Sequence, residues 1–370
     1  MKALGIIFSN IYDSSLGELT NHRTVASLPY GGRYRQIDFA LSNMSNSGIY
    51  KVGIITKYNY RSLMDHLGTC SAWDLNRKNE GVVFLPPFAE GNIRSVYKGK
   101  LEALYSASHF IDNPAYEYVV VCDSTVLCNI DFGAVIKQHA QSKNDVTIVS
   151  NVPKTAKKSS LVLKANTKNR VTEMKIDAKP DADSYTGMGM FVIERKMLVE
   201  TIRDSYSRGL AHFERDFLQK KFNDGSLKIG IYRFDGVVHN NSDVASYFTN
   251  NMALLDKKVR EGLFLPDAPI YTKVRDEAPS YYSEGSDISN CIVADGCVMR
   301  GSAKNSIIFR NVKIEKGAEV KSCIIMQGAR IGVGAQLENV ILDKDVTVTE
   351  GACLKGTPKN PVIIKKGETV

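Results

Sequence analysis

The chain has 370 residues, of which 43% are hydrophobic and 24% are charged, and its formal net charge is +8. This is the composition of a globular protein with room for about two domains. The sequence has no block of about five or six consecutive basic residues, so nucleic-acid binding is not predicted. No apolar stretch approaches the roughly 18–20 residues of a membrane span. The seven cysteines lack a CxxC pair, which favours reduced thiols and a cytoplasmic protein.

Short apolar runs alternate with amphipathic segments over residues 1–252. We predict strands at 3–8, 51–56, 117–122 and 145–150, and helices at 35–46, 101–111 and 132–142. The strand segments are rich in Val and Ile without polar alternation, which is typical of a largely parallel sheet buried on both faces. The alternation predicts a doubly wound, mostly parallel α/β domain with ligands at the carboxyl ends of the strands.

Residues 253–282 are expected to connect this domain to a second one. The periodicity predicts one helix over 252–263, and Pro266, Pro269 and Pro279 follow it. Proline ends regular structure, so we expect the rest of this segment to be an extended linker.

Residues 283–370 contain a repeat with a period of 17 residues. Copies begin at Ile314, Ile331 and Val348, each with Gly-Ala three residues further on, and a related copy begins at Val293. A coil of three flat faces of about six residues each, slightly shortened, has this period, with aliphatic residues inside and glycine at the corners. The repeat predicts a left-handed parallel β-helix; the alternative is a β-sandwich with regularly spaced turns.

Residues 28–43, LPYGGRYRQIDFALSN, closely resemble the FGGRYRIIDFPLSN run of the bacterial glucose-1-phosphate adenylyltransferase family. Further matches follow in order at 45–49, 68–77, 83–87, 97–99 and 251–255, so the resemblance covers nearly the whole chain. It implies a nucleotidyltransferase-type sheet followed by a β-helix. It also implies adenylyl transfer from ATP to glucose 1-phosphate, in which Mg²⁺ and basic side chains neutralise the phosphates.

The sequence departs from this family where the triphosphate would bind. Active members carry AGGxGTRLxxLT after the first strand, whereas residues 8–20 read FSNIYDSSLGELT, with Ser9 and Asn10 in place of the paired glycines. Those glycines let backbone N–H groups reach the phosphates, and the arginine that neutralises them is also missing. Asp13 adds a negative charge, and Ile11 and Tyr12 are expected to crowd the phosphates.

Other functional positions of the family are also altered. Val25 stands in place of a phosphate-binding lysine. Asp123 keeps one metal-binding carboxylate, but the second falls at Asn240, unless a register shift brings Asp243 into its place. Mg²⁺ prefers charged carboxylates, so one aspartate and one asparagine are expected to hold it weakly. We therefore expect no intact catalytic site.

The sugar-phosphate side of the site is better preserved. Lys179, within DAKP, resembles the family lysine that meets the sugar phosphate, and Met188 and Gly189 resemble the strand that follows it. The resemblance implies a residual pocket for a phosphorylated sugar. The alternative is a solvated loop lysine beside an ordinary core strand.

A third group of glycine and arginine residues has two interpretations. The first is a contact with a nucleotide or effector near a subunit interface. Within residues 28–43, the run that resembles the family, these residues are Gly31, Gly32, Arg33 and Arg35. The second interpretation is a tight turn that leads into a helix. Arg23, next to His22, falls where the family has effector-binding basic residues, although surface solvation explains a basic pair equally well.

The resemblance and the departures together predict a non-catalytic or weakly catalytic regulatory subunit of this family. We expect it to need no cofactor, to leave Mg²⁺ to a catalytic paralogue, and to respond to sugar-phosphate effectors. The expected assembly is a heterotetramer with that paralogue, and the alternative is a homo-oligomer of this chain alone. Two alternatives remain, an active adenylyltransferase with an unusual loop and a stand-alone sugar-phosphate sensor. Acyl transfer by the β-helix is disfavoured because no histidine follows His239.

Overall fold

The structure, a computed structural model, describes residues 2–10, 13–87, 96–153 and 157–370. The amino-terminal domain is an α/β domain. Its strands and helices are, in chain order, β1 (Ala3–Phe8), β2 (Pro29–Tyr30), β3 (Tyr34–Arg35), α1 (Gln36–Asn46), β4 (Lys51–Ile55), α2 (Arg61–Leu67), β5 (Gly81–Leu85), α3 (Lys100–Ser106), α4 (Ser108–Ile111), β6 (Tyr118–Asp123), β7 (Val126–Leu127), α5 (Phe132–Ser142), β8 (Val146–Asn151), β9 (Ser159–Ala165), β10 (Val171–Ala178), β11 (Tyr185–Glu194), α6 (Arg195–Ser207), α7 (Lys220–Asn223), β12 (Ile229–Arg233), β13 (His239–Asn240), α8 (Val244–Ala253) and α9 (Lys257–Leu263). A π-helical segment, Phe213–Gln219, precedes α7.

The main sheet has a parallel centre, as the sequence predicts. Strands β6, β1, β4 and β5 are adjacent and parallel, while β11 runs antiparallel between β6 and β8. Phe8 at the end of β1 is level with Ile55 of β4 and with Asp123 of β6. The carboxyl ends of the three central strands therefore meet at one edge of the sheet, where ligands bind in such folds.

Both faces of this sheet are buried, because alternate residues of each strand point to opposite sides. Leu4 and Ile6 of β1 contact the hydrophobic cluster that includes α3 and α6, whereas Ala3 and Ile7 contact the cluster that includes α1 and α5. The Val- and Ile-rich strands of the sequence thus lie between two layers of helices. This is the doubly wound arrangement.

Two predicted helices are wrong in their extent. The segment 101–111 breaks into α3 and α4 at Ala107, and the segment 252–263 breaks between α8 and α9. In the second case the carboxylate of Asp256 accepts a hydrogen bond from the Lys258 amide and so starts a new helix. Among the described residues, the structure contains no helix with the length and hydropathy that crossing a membrane requires.

The carboxyl-terminal domain is the predicted parallel β-helix. Its strands are β14 (Tyr281–Tyr282), β15 (Asp287–Ser289), β16 (Ile292–Val293), β17 (Val298–Met299), β18 (Ser302–Lys304), β19 (Ile307–Ile308), β20 (Lys313–Ile314), β21 (Glu319–Lys321), β22 (Ile324–Ile325), β23 (Arg330–Ile331), β24 (Gln336–Glu338), β25 (Val340–Leu342), β26 (Thr347–Val348), β27 (Cys353–Lys355) and β28 (Val362–Ile364). Every third strand is paired in parallel, which in residues 281–364 gives three five-stranded faces. Ile314 pairs with Ile331 and Ile331 with Val348, so the sequence repeat is one coil.

One face of the β-helix packs on the α/β domain. Ile307, Ile324 and Ile341 of this face share a buried hydrophobic cluster with residues of the α/β domain such as Leu28 and Phe39. This shared cluster joins the two domains into one packed unit. Burying apolar surface of this kind contributes about 25 cal/mol per Å² to the free energy of unfolding.

Candidate functional site

A cavity of about 480 Å³ lies at the carboxyl ends of β1 and β4. It combines apolar side chains with several basic groups and two carboxylates. Its lining residues are Phe8, Asn10, Ser14, Ser15, Ile55, Lys57, Tyr97, Lys98, Gly99, Lys100, Ala103, Ser160, Ile176, Asp177, His212, Glu214 and Arg215. The position is the one at which open α/β sheets bind ligands.

The loop after β1 is held by the side chains that replace the family's glycines. Ser9 is fully buried and donates a hydrogen bond to the carbonyl of Ile55 (2.9 Å). Asn10 accepts from the Lys57 amide (2.7 Å) and donates to the carboxylate of Asp13 (2.5 Å). The predicted crowding by Ile11 and Tyr12 concerns residues outside the described ranges.

The carboxylate of Asp13 binds a backbone amide of the same region. Its Oδ1 accepts a hydrogen bond from the Val25 amide (2.9 Å), and the side chain of Val25 is buried. Burial raises the pKa of Asp13, although the hydrogen bonds from Asn10 and Val25 oppose that shift. The carboxylate of Asp13 therefore accepts the hydrogen bond of the Val25 amide. In a phosphate-binding loop, such an amide would donate to a phosphate of the ligand.

We predict that Asp13→Ala destabilises the protein, because the buried Val25 amide loses its acceptor. The expected loss in the free energy of unfolding is about 1–3 kcal/mol, measured by urea denaturation. Asp13→Asn is the control, with a smaller expected loss: its amide oxygen still accepts from Val25, and only the hydrogen bond from Asn10 is lost. Equal losses in the two variants would contradict this account of the loop.

Asp123 is buried next to a lysine rather than next to a second metal ligand. Lys100 Nζ lies 3.0 Å from Asp123 Oδ2 and 2.6 Å from Glu214 Oε1. Burial raises the pKa of Asp123 to about 6, and Lys100 opposes the shift. Burial also acts to raise the pKa of Glu214, but Lys100 brings it below its ordinary value.

The residues around Asp123 do not fit Mg²⁺. Asn240 is exposed on β13, opposite Val126, and carries no charge. Asp243 does not replace it, because its carboxylate accepts from the Ser246 amide (2.7 Å) and caps α8. Within the described ranges, no group of three or more His, Cys, Asp or Glu side chains could hold a metal ion. A hard divalent cation needs several oxygen ligands, whereas the carboxylates of Asp123 and Glu214 both bind Lys100 here.

The predicted sugar-phosphate residues are only partly brought together. Lys179 is exposed just beyond β10, two residues after Asp177 of the cavity wall. The side chain of Met188 is buried in the hydrophobic core and does not line the cavity, so its part in a sugar-phosphate pocket stays a prediction. Gly189 has φ +65°, and a Cβ there would lie 2.4 Å from Asp123 Oδ2, so it allows β11 to approach that carboxylate.

A second, smaller pocket of about 40 Å³ lies where the two domains meet. Six of its described lining residues are Lys or Arg and none is Asp or Glu. These six are Arg33, Arg35, Lys273, Arg275, Arg310 and Lys344. Its size suits one phosphate or sulfate group, and its charge favours an anion.

Burial lowers the pKa values of several cations of this small pocket. Burial, together with the nearby Arg35 and Arg23, lowers the pKa of Lys344 to about 7. Burial likewise lowers the pKa of Arg35 to about 10. Arg310 Nε is buried without a hydrogen-bond partner among the described residues, and its nearest carboxylate oxygen, on Asp295, is 4.0 Å away. A bound oxyanion would supply the missing acceptors.

The remaining predicted residues serve the contact between the domains. Arg23 is buried, and its guanidinium lies 2.8 Å from Asp343 Oδ1 of the β-helix. The charge of Arg23 is therefore paired within the protein at the contact between the domains, and the predicted contact of Arg23 with an effector stays a prediction. Gly31 and Gly32 form the turn between β2 and β3 with positive φ, and a Cβ on Gly32 would lie 3.2 Å from Ile292 of the β-helix.

Sequence reasoning missed several charged residues of both pockets. Lys100 directly follows Gly99, the last residue of the matched segment 97–99. This position next to a family match could have identified Lys100 as a candidate site residue. Arg310 and Lys344 lie in the β-helix, far along the chain from Arg35, and no motif connects them. Only the packing of one domain on the other brings these cations together.

Comparison with known proteins defines the class of the fold. Residues 5–237 match the family model of nucleotidyl transferases. Residues 278–358 match the model of the GlmU-like C-terminal hexapeptide region. The two matches correspond to the α/β domain and the β-helix.

Similarity to whole proteins gives the family. The chain is 35% identical to the glycogen biosynthesis protein GlgD of Bacillus subtilis and 37% identical to GlgD of Geobacillus stearothermophilus, each over 99% of this chain and 96% of the relative. It is 30% identical to a glucose-1-phosphate adenylyltransferase of Clostridium botulinum, over 86% of this chain and 83% of the relative. The chain therefore belongs to the family of glucose-1-phosphate adenylyltransferases and GlgD proteins, as the sequence resemblance predicts.

Proposed function

We propose that this chain is a regulatory subunit of glucose-1-phosphate adenylyltransferase, with little or no catalytic activity of its own, in bacterial glycogen biosynthesis in the cytoplasm. The observation that carries the proposal is the loop after β1. Asn10 and Asp13 accept from the Lys57 and Val25 amides, so these donors are not available to the oxygens of a triphosphate. The full-length similarity to two GlgD proteins supports the same assignment.

The proposed partner is a catalytic paralogue, in a heterotetramer. That paralogue would provide the glycine-rich loop and the carboxylates that hold Mg²⁺, while this chain would need no cofactor. A subunit without activity changes its partner's rate only if it binds the active and inactive conformations of that partner with different affinities.

We further propose that the small basic pocket binds the phosphate of a sugar-phosphate effector. Arg33 and Arg35 belong to the α/β domain, whereas Arg310 and Lys344 belong to the β-helix. A phosphate bound between them contacts both domains at once. Such a ligand stabilises whichever arrangement of the two domains brings the cations closest to it, which is a route from effector to subunit contacts.

The test is ADP-glucose formation by the purified chain alone, by the catalytic paralogue from the same genome alone, and by their mixture. Size-exclusion chromatography of the mixture reports assembly. We expect the chain alone to remain far below the roughly 1 per second of an ordinary enzyme. We also expect it to co-elute with the paralogue and to change the rate or the effector response of that paralogue.

Other outcomes would identify the alternatives. Turnover by the chain alone at an ordinary enzymatic rate, dependent on Mg²⁺, would show an active adenylyltransferase and overturn the proposal. Saturable binding of a sugar phosphate without any association with the paralogue would show a stand-alone sensor instead.

A further inference from the structure

We infer that the ammonium group of Lys100 occupies the cation position beside Asp123, so that this carboxylate is neutralised by the chain itself and binds no divalent metal. The inference rests on the proposed function in one respect, because it supplies a physical cause for the low activity proposed for this chain. It concerns metal binding, which can be measured without any turnover.

The groups around Lys100 Nζ suit an ammonium ion. Two carboxylate oxygens, one from Asp123 and one from Glu214, lie at 3.0 and 2.6 Å. The rings of Phe8 and Phe191 have their centroids 5.7 Å from the same nitrogen. Aromatic faces attract an organic cation within about 6 Å, whereas Mg²⁺ requires oxygen ligands in near-octahedral geometry. The mixed shell of carboxylates and rings therefore favours the ammonium.

The backbone places Lys100 at this position. Gly99 is extended, and a Cβ on it would lie 2.2 Å from the carbonyl oxygen of Ala211. The Leu101 amide donates to the same carbonyl (2.9 Å). This contact joins the first residues of α3 to the segment just before Glu214. Lys100, between Gly99 and Leu101, is thereby held opposite Glu214.

The carboxylate of Asp123 is enclosed on the other side. Gly189 on β11 packs so closely that a Cβ there would lie 2.4 Å from Oδ2, the oxygen that also binds Lys100. The side chain of Asp123 is 6% exposed and that of Lys100 is 12% exposed. Little water reaches the pair, so the Asp123 carboxylate depends on Lys100 for compensation, while Lys100 also binds Glu214.

A divalent ion would have to displace Lys100 in order to bind Asp123. The displaced ammonium would keep its charge while losing both carboxylate partners inside a cavity whose lining also holds Lys57, Lys98 and Arg215. Breaking a buried pair in this way is strongly unfavourable. The ion pair therefore excludes the metal both by occupancy and by charge.

The experiment measures Mn²⁺ binding to the full-length chain by water-proton relaxation, with thermal melting in EDTA and in millimolar Mn²⁺ as a second readout. The wild-type chain is expected to show no Mn²⁺ site that depends on Asp123, so wild type and Asp123→Asn should give the same titration. Lys100→Ala leaves two carboxylates without their counter-ion and opens space between them. We expect it to bind Mn²⁺ at least about tenfold more tightly than wild type and to melt higher in Mn²⁺ than in EDTA.

Two variants serve as controls. Lys168→Ala removes an exposed lysine that does not line this cavity and should leave Mn²⁺ binding unchanged. The double variant Lys100→Ala with Asp123→Asn should lose the binding gained by Lys100→Ala. If Lys100→Ala fails to fold, Lys100→Gln takes its place, and the comparison of wild type with Asp123→Asn can still overturn the inference.

The inference is overturned if the wild-type chain binds Mn²⁺ and Asp123→Asn abolishes that binding, or if Lys100→Ala binds Mn²⁺ no more tightly than wild type. These results are distinct from failure of the proposed function. ADP-glucose formation by the wild-type chain would overturn the regulatory role whatever the metal titrations show, while Asp123-dependent Mn²⁺ binding by an inactive chain would overturn only the role of Lys100.

Discussion

Arg23→Met is expected to lower the free energy of unfolding by about 3–5 kcal/mol, because it leaves the carboxylate of Asp343 buried without its partner. The side chains of both residues are 3% exposed, and the two atoms of the pair are 2.8 Å apart. Arg23 belongs to the α/β domain and Asp343 follows β25, so the pair crosses the domain interface. Urea denaturation followed by fluorescence and circular dichroism measures the loss.

Two further variants separate the buried charge from a general effect on the interface. The double variant Arg23→Met with Asp343→Leu should recover most of the loss, since no unpaired charge remains. Lys365→Met breaks an ion pair with Glu18 (3.0 Å) between the same two domains, but both side chains are largely exposed, so no measurable change is expected. Wild-type stability in Arg23→Met would show that the pair contributes nothing.

Sulfate affinity of the basic pocket is expected to fall as the pH rises above 7. Burial and the neighbouring Arg35 and Arg23 lower the pKa of Lys344 to about 7 in the free protein. Below this pH Lys344 is charged and binds the anion; above it, binding must also take up a proton. Affinity should therefore decrease by up to about tenfold per pH unit until the higher pKa of the bound state is reached. Calorimetric titration with sulfate, which does not itself titrate in this range, measures the effect.

His66 and Arg35, which also line the pocket, do not change protonation state just above pH 7, so the pH dependence is assigned to Lys344. Burial lowers the pKa of His66, despite its contact with Asp38, so the imidazole is neutral above pH 7. Arg35, with a pKa of about 10, stays charged. Lys344→Met should bind sulfate about tenfold more weakly and almost independently of pH. Lys359→Met removes an exposed lysine outside the pocket and should retain the pH dependence. A flat profile in the wild type would refute the assignment.

The sequence was sufficient to predict both domains because each carries a pattern set by local geometry. Strands buried on both faces must be continuously apolar, and segments such as 3–8 and 132–142 emerge as β1 and α5. A β-helix must repeat its inward aliphatic residues once per coil, and Ile314, Ile331 and Val348 do so. Helix ends were less predictable, since the break at Asp256 depends on a single capping side chain.

The sequence by itself also determined which family groups are missing from the site, because the loss of glycines at Ser9 and Asn10 and of a carboxylate at Asn240 is visible in the letters alone. Only the tertiary structure decided what replaces them. Asp13 and Val25 meet through a turn of the loop, and Lys100 reaches Asp123 because the start of α3 is held against the carbonyl of Ala211. The cations of the small pocket come from two domains, and their common environment arises only when those domains pack together. Local patterns fix residue types and elements, whereas charges interact through distance and burial, which depend on the folded chain.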